Sequence, residues 1–130
     1  MERTVAGIGL LILRLMMGAG IARHGYGKVV EGHASDLAGA IGKLGFPVPL
    51  LFAWAAGLSE FLGGILIIIG LATRVGALFV GITMAVAAFM FHAHDAIGVK
   101  ELALGYLAMA LMLLGTGAGP YSLDRLLGRK

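Results

Sequence analysis

Four apolar runs at about residues 5–22, 50–71, 75–92 and 99–115, joined by polar or glycine- and proline-containing connections, set the pattern of this chain. A helix needs about 20 apolar residues to cross a hydrocarbon core roughly 30 Å thick. Each run therefore predicts a membrane-spanning helix, the last two nearer the short end of the range. Within the runs the small residues are not scattered. Gly7 and Gly18 share a helical face with Arg14, Gly57 and Gly64 share one with Glu60, and Gly81, Ala85, Ala88 and His92 form a third stripe. Small residues let helix backbones approach closely in lipid, so these faces are expected to point inward and form a tight all-α, four-helix membrane bundle.

Arg14 and Glu60 break the apolar pattern near the middles of the first two runs. An ionisable side chain at that depth costs at least about 2.5 kcal/mol, so it normally faces the interior and has a partner. In antiparallel neighbours the two are expected to meet. Two meanings are open for such a pair: a structural ion pair that fixes packing, or a buried polar centre serving a ligand, proton or redox partner.

The connection from Arg23 to Pro49 is longer than the others. It opens with His24, Gly25, Tyr26, Gly27 and Lys28, and Leu37, Ile41 and Leu44 then recur at helical spacing before Pro47 and Pro49. That pattern predicts a turn followed by a short amphipathic helix at the membrane interface.

Composition sharpens the class. Of 130 residues 59% are hydrophobic and only 13% charged, with a mean hydropathy of +0.96, where soluble domains carry about 25% charged residues. One transmembrane domain fills the chain and leaves no room for a soluble catalytic module. Glu2 offsets Arg3, and Arg14 interrupts the first run, so this segment reads as a retained helix rather than a signal peptide. The absence of cysteine excludes thiol, thiolate-metal and iron–sulfur chemistry within this polypeptide. The net charge of +3 comes from basic residues at helix ends, without a basic stripe, which argues against nucleic-acid binding. Four spans put both termini on one side with Arg3, Arg74, Arg125, Arg129 and Lys130, against Arg23, Lys28, Lys43 and Lys100 on the other. This small bias favours cytoplasmic termini.

Polar residues distant in sequence converge on the other end: Arg23 and His24 after the first run, His92, His94 and Asp95 after the third, and Lys100 and Glu101 at the start of the fourth. Imidazoles and carboxylates suit divalent metals, but His92 and His94 lie on different faces and no Glu-x-x-His spacing occurs, so no intrinsic metal site is expected. His92 is expected to donate a hydrogen bond inside the bundle, and His94 and Asp95 to be solvated. Glu101 suits either a helix N-terminus or a polar pocket. Trp54, Phe46, Tyr26 and Phe52 suit an interfacial belt, and the methionines read as core filler that also suits a quinone pocket.

An ordered set of short motifs spans nearly the whole chain. Arg14-Leu15 with Gly18 is followed by His24-Gly25-x-x-Lys28, Gly45-Phe46-Pro47 and Glu60-x-x-Gly63-Gly64. Then come Gly70-Leu71-x-Thr73-Arg74, Glu101-Leu102-Ala103 and Gly119-Pro120-Tyr121-Ser122-Leu123-Asp124. This set resembles the DoxX family of small four-helix membrane proteins; the last motif departs mildly from the family pattern. The resemblance implies links to quinones or redox enzymes, with more distant relatives acting as chaperones or cargo receptors, and it assigns no catalytic residue. The expectation is a multi-pass subunit of a redox system in the bacterial cytoplasmic membrane, binding a quinone or small oxidisable molecule in a polar cavity. Arg14, His24, Lys28, Glu60, His92 and Glu101 are its candidate binding residues, and a redox-enzyme partner or homo-oligomer is implied. A non-enzymatic anchor or assembly factor is the alternative, and a transporter is disfavoured because no span is visibly broken.

Overall fold

A computed structural model describes residues 1–129. Six helices follow one another: α1 Glu2–Val29, α2 Ala34–Lys43, α3 Pro49–Ile69, α4 Thr73–Val86 continued by a π-helical turn Ala87–Phe91, α5 Ile97–Thr116 and the short α6 Leu123–Leu126. No strand occurs among the described residues. α1, α3, α4 with its π turn, and α5 are each long and apolar enough to cross a membrane. They run up, down, up and down, so both ends of the chain lie on one face of the bundle.

The interior follows the small-residue stripes. α1 buries Gly7, Arg14, Met17, Gly18, Ile21 and Gly25, and α3 buries Ala53, Gly57, Glu60, Gly63, Gly64 and Ile67. These positions recur three or four residues apart, the spacing of a seam between nearly antiparallel helices. Gly18 and Gly64 meet backbone to backbone: a Cβ on Gly64 would lie 2.6 Å from the Ala22 nitrogen and 2.7 Å from the Gly18 carbonyl oxygen. No larger residue fits there without moving a helix. Met17, Ile21, Ile67, Val80, Met84 and Leu113 fill the shared core of α1, α3, α4 and α5. Ile12, Leu62, Phe79 and Leu111 point outward, which is the arrangement a lipid solvent requires.

Two boundaries differ from the sequence expectation, and both move functional side chains. α1 does not turn after Ala22 but continues through His24-Gly25-Tyr26-Gly27 to Val29. The glycines do not break it because Gly25 lies directly on the backbone of Phe61 and Gly57 in α3, and helix packing of this kind offsets the conformational cost of glycine. The predicted short helix exists as α2 and lies against α3, where Ala34 and Ile41 bury against Ala53 with Leu37 and Phe46 around them. At the other boundary, α4 loosens into its π turn and ends at Phe91, so the small-residue stripe stops at Ala88 and His92 falls outside the helix.

The helices pack as a row in which α1 contacts α3, α3 contacts α4, and α4 contacts α5. The ends of the row, α1 and α5, touch only sparsely, and a groove lies between them.

Candidate functional site

Arg14 and Glu60 do not pair. The longer α1 shifts its register against α3, so Arg14 stands beside the C-terminal end of α3 and Glu60 beside the C-terminal end of α1. Arg14 is 1% exposed and donates four hydrogen bonds, all to backbone carbonyls. Nε donates to Ile67 at 2.9 Å, Nη2 to Ile68 at 3.0 Å, and Nη1 to both Ala118 and Tyr121 at 2.8 Å. The Ile67 and Ile68 carbonyls are orphans of the α3 terminus, since the Gly70 and Leu71 amides both turn back to Leu66. Arg14 thus caps α3 from another helix, placing positive charge where the helix dipole favours it.

Asp124 supplies the opposite half of the same turn. Its Oδ1 accepts from the Ala72 amide at 2.8 Å and its Oδ2 from the Thr73 amide at 2.9 Å, a negative charge at the N-terminus of α4. Ala72 has a left-handed backbone (φ 46°), unfavourable for a residue with a Cβ and held here by that bond. Gly70 (φ +71°) has no room for a Cβ beside the Arg14 guanidinium and Ser122. Burial pushes the Asp124 carboxyl upward, but the Thr73 and Ala72 amides, with Arg129 nearby, outweigh it and hold it below the usual carboxylate range. A carboxylate with a lowered folded-state value stabilises fully above its unfolded value of about 3.9. That stabilisation is lost as pH falls through the lower folded value. Asp124→Asn is therefore expected to melt lower than the parent at pH 7, with the gap closing as thermal scans are taken below pH 4.

Glu60 is 2% exposed and pairs with Lys28, whose Nζ lies 2.7 Å and 2.6 Å from its two oxygens. Lys28 is 25% exposed, so the pair joins a buried carboxylate to a cation that reaches toward the interface. It ties the end of α1 to the middle of α3, on the face of the bundle opposite Arg14.

The remaining candidates separate. His92 is not an interior donor: its Nδ1 lies 2.7 Å from Asp95 Oδ2 at the bundle surface, because the π turn ends the helix before it. Asp95 is accordingly engaged, while His94 is exposed. His24 is exposed and meets Tyr106 edge-on, with ring centroids 6.3 Å apart. Among the described residues, no three His, Asp or Glu side chains stand close enough to share a metal ion. Phe46 and Phe52 contact each other at the start of α3, within the aromatic group expected at that interface.

Tyr106 leads to the groove between α1 and α5, a cavity of about 710 Å³. Its walls are apolar, from Ile12, Leu13, Met16, Met17, Leu102 and Met109, and Glu101 and Tyr106 are its polar side chains. Gly9, Gly98 and Gly105 also line it, and a Cβ on any of them would meet nothing within 4 Å. These glycines serve no close helix contact; they widen the groove. The six candidate residues are thus divided among Arg14 at the termini face, the Lys28–Glu60 pair, the His92–Asp95 pair, and a groove end with Glu101 and, through Tyr106, His24. Tyr106 carried no signal in the sequence, because the groove exists only through the separation of α1 and α5.

Four spans, a buried arginine capping a neighbouring helix and a buried lysine–glutamate pair define a small polytopic membrane protein of the helical-bundle class. The family profile named DoxX matches residues 9–93. The chain is 36% identical over 133 residues to inner membrane protein YqjF of Escherichia coli (strain K12), covering 95% of each chain. It is 34% identical over 122 residues to an uncharacterized protein of Haemophilus influenzae (strain ATCC 51907 / DSM 11121 / KW20 / Rd), covering 88% of this chain and 87% of that one. The chain belongs to the DoxX family. No solved structure matches it.

Proposed function

We propose that this protein is a membrane subunit of a redox system and binds a quinone, or a small oxidisable molecule of similar shape, in the groove between α1 and α5. The observation that carries this reading is a carboxyl and a phenol, Glu101 and Tyr106, on an otherwise apolar groove of about 710 Å³ lined by methionines and widened by glycines. Ligand sites typically occupy about 300–1,000 Å³, with mostly apolar walls and a few polar groups that fix orientation. A quinone has those demands: a flat polarizable ring suited to methionine, oxygens that need hydrogen-bond partners, and an apolar tail that must leave sideways into lipid. Tyr106 donates to a ring oxygen, Glu101 accepts from the hydroxyl of the reduced ring, His24 orients Tyr106, and Arg14, Lys28 and Glu60 hold the helices that form the walls. The chain has no cysteine and no redox side chain of its own, so electron transfer requires the bound quinone, a metal or a partner protein. The protein resides in the bacterial cytoplasmic membrane with both termini in the cytoplasm, in keeping with the inner-membrane relative and the arginines of the termini face.

Thermal melts with a short-chain quinone analogue test the reading. Binding stabilises by about 2.7 kcal/mol at a ligand concentration one hundred times Kd, and Gly105→Leu and Gly9→Leu are expected to abolish that shift. Both variants put side chains into open groove rather than into protein, and leucine is the better helix former, so they are expected to fold. Glu101→Gln should weaken binding of the reduced form of the analogue without blocking it. Groove-filled variants that bind the analogue as the parent does would sink the site. A parent that binds no quinone, with filled variants active in cells, would instead support an anchor or assembly factor.

A further inference from the structure

The termini face carries a second cavity, of about 500 Å³, that the quinone reading does not use. Arg3 from the start of α1, Arg74 from the start of α4, and Arg125 and Arg129 around α6 all line it. The acid among its lining residues is Asp124, and both carboxylate oxygens of Asp124 already accept the amides that open α4. None of the four arginines has a carboxylate oxygen within 4.0 Å among the described residues, and Arg74 makes one hydrogen bond, a long one of 3.3 Å to the Gly115 carbonyl. Four guanidinium groups from three separate segments therefore surround one depression, with Asp124 the one acid among its described lining residues to offset them.

The position is as informative as the charge. Glu2, Ile69, Thr73 and Thr116 end the four spans on this face, so the cavity lies where the hydrocarbon core gives way to headgroups. The loop that forms its floor is held in place from below, by the Arg14 bonds to Ala118 and Tyr121. Guanidinium groups match phosphate oxygens in geometry and bind them bidentately, and basic pockets between membrane helices hold anionic headgroups. We propose that this cavity binds a phosphate-bearing anion, the headgroup of an anionic phospholipid or a free phosphate, clamped by Arg3, Arg74, Arg125 and Arg129.

The test uses the full chain in a neutral detergent, with thermal melting and native mass spectrometry as readouts. Phosphatidylglycerol in mixed micelles is compared with phosphatidylcholine and with inorganic phosphate at matched phosphate concentration. The expected result is a raised Tm and a retained adduct with phosphatidylglycerol but not with phosphatidylcholine. A matching shift with inorganic phosphate would assign the site to the free ion. Arg74→Gln/Arg125→Gln/Arg129→Gln is expected to weaken binding by on the order of 100-fold, from about a fivefold loss per arginine near a charged surface. A control with the same loss of charge on the opposite face, Arg23→Gln/Lys43→Gln/Lys100→Gln, is expected to retain it. If the triple arginine variant does not fold, the exposed single variant Arg125→Gln carries the comparison, with an expected loss of about fivefold. Equal losses in control and arginine variants, or no preference for either anion over phosphatidylcholine, would overturn the proposal.

Discussion

Replacing Arg14 with methionine is expected to destabilise the bundle by about 4 kcal/mol or more, and lysine is expected to rescue little of it. Methionine keeps the apolar volume and removes the charge, so the loss reports the hydrogen bonds together with the favourable placing of the cation at the α3 terminus. Four carbonyls lose their donor at once. Two of them, on Ile67 and Ala118, sit in fully buried bonds, and each buried acceptor left unpaired costs about 1–3 kcal/mol, with bonds to charged groups at the upper end. Lysine restores the charge but not the reach. Its ammonium is a compact point with three donors, whereas the guanidinium fork spreads its N–H groups across a plane and here serves the end of α3 and the loop after α5 together. Equilibrium unfolding in mixed micelles measures both variants. An Arg14→Lys protein as stable as the parent would mean that charge, not the fork, holds this turn.

Lys28→Ala is the second large effect, expected at about 3–5 kcal/mol, because it leaves the Glu60 carboxylate buried without its cation. Glu60→Ala is expected to cost less, since Lys28 is one-quarter exposed and its flexible stem lets the ammonium swing to the interface. Removing both charges, with Lys28→Met and Glu60→Met, should cost less than Lys28→Ala alone, since apolar replacement of a whole buried pair is often neutral or stabilising. The three melting curves rank the variants, and the order Lys28→Ala worst, double variant mildest is the expected one. If the double variant were as unstable as Lys28→Ala, the pair would matter for specific geometry rather than for mutual neutralisation.

The spans were legible because each is a run of apolar residues, and the inward direction of Arg14 and Glu60 was legible because glycines mark those faces. The identity of their partners was not, for two different reasons. Lys28 had a signal that was outweighed: Arg14, Gly18, Ile21, Gly25 and Lys28 continue one helical face at spacings of three, four or seven. Glycines at 25 and 27 beside a histidine looked like the chemistry of a turn, and only the contact with α3 makes them helical. Arg14 had no signal to give, because its partners are backbone carbonyls and any residue type can supply one. Asp124 is hidden in the same way, since the amides it accepts belong to the start of another helix. The groove also lies outside what periodicity can report: Gly9 and Gly105 read like other small residues in a span, and their outward position follows from where α1 and α5 end up.

The Arg14 contacts also impose an order on biosynthesis. α1 leaves the ribosome before α3, α4 and α5, since a chain is made from its N-terminus, and the acceptors of its guanidinium arrive late. Ile67 and Ile68 come with the second span, and Ala118 and Tyr121 only after the fourth. Until then a cation sits in the first helix without its full set of partners, a state that is costly in lipid and relieved by the insertion machinery or by water. A nascent chain stalled before Gly117 still lacks two of the four acceptors. The same residue that locks the finished bundle therefore makes an unfinished one distinguishable, and gives membrane quality control a charge to find.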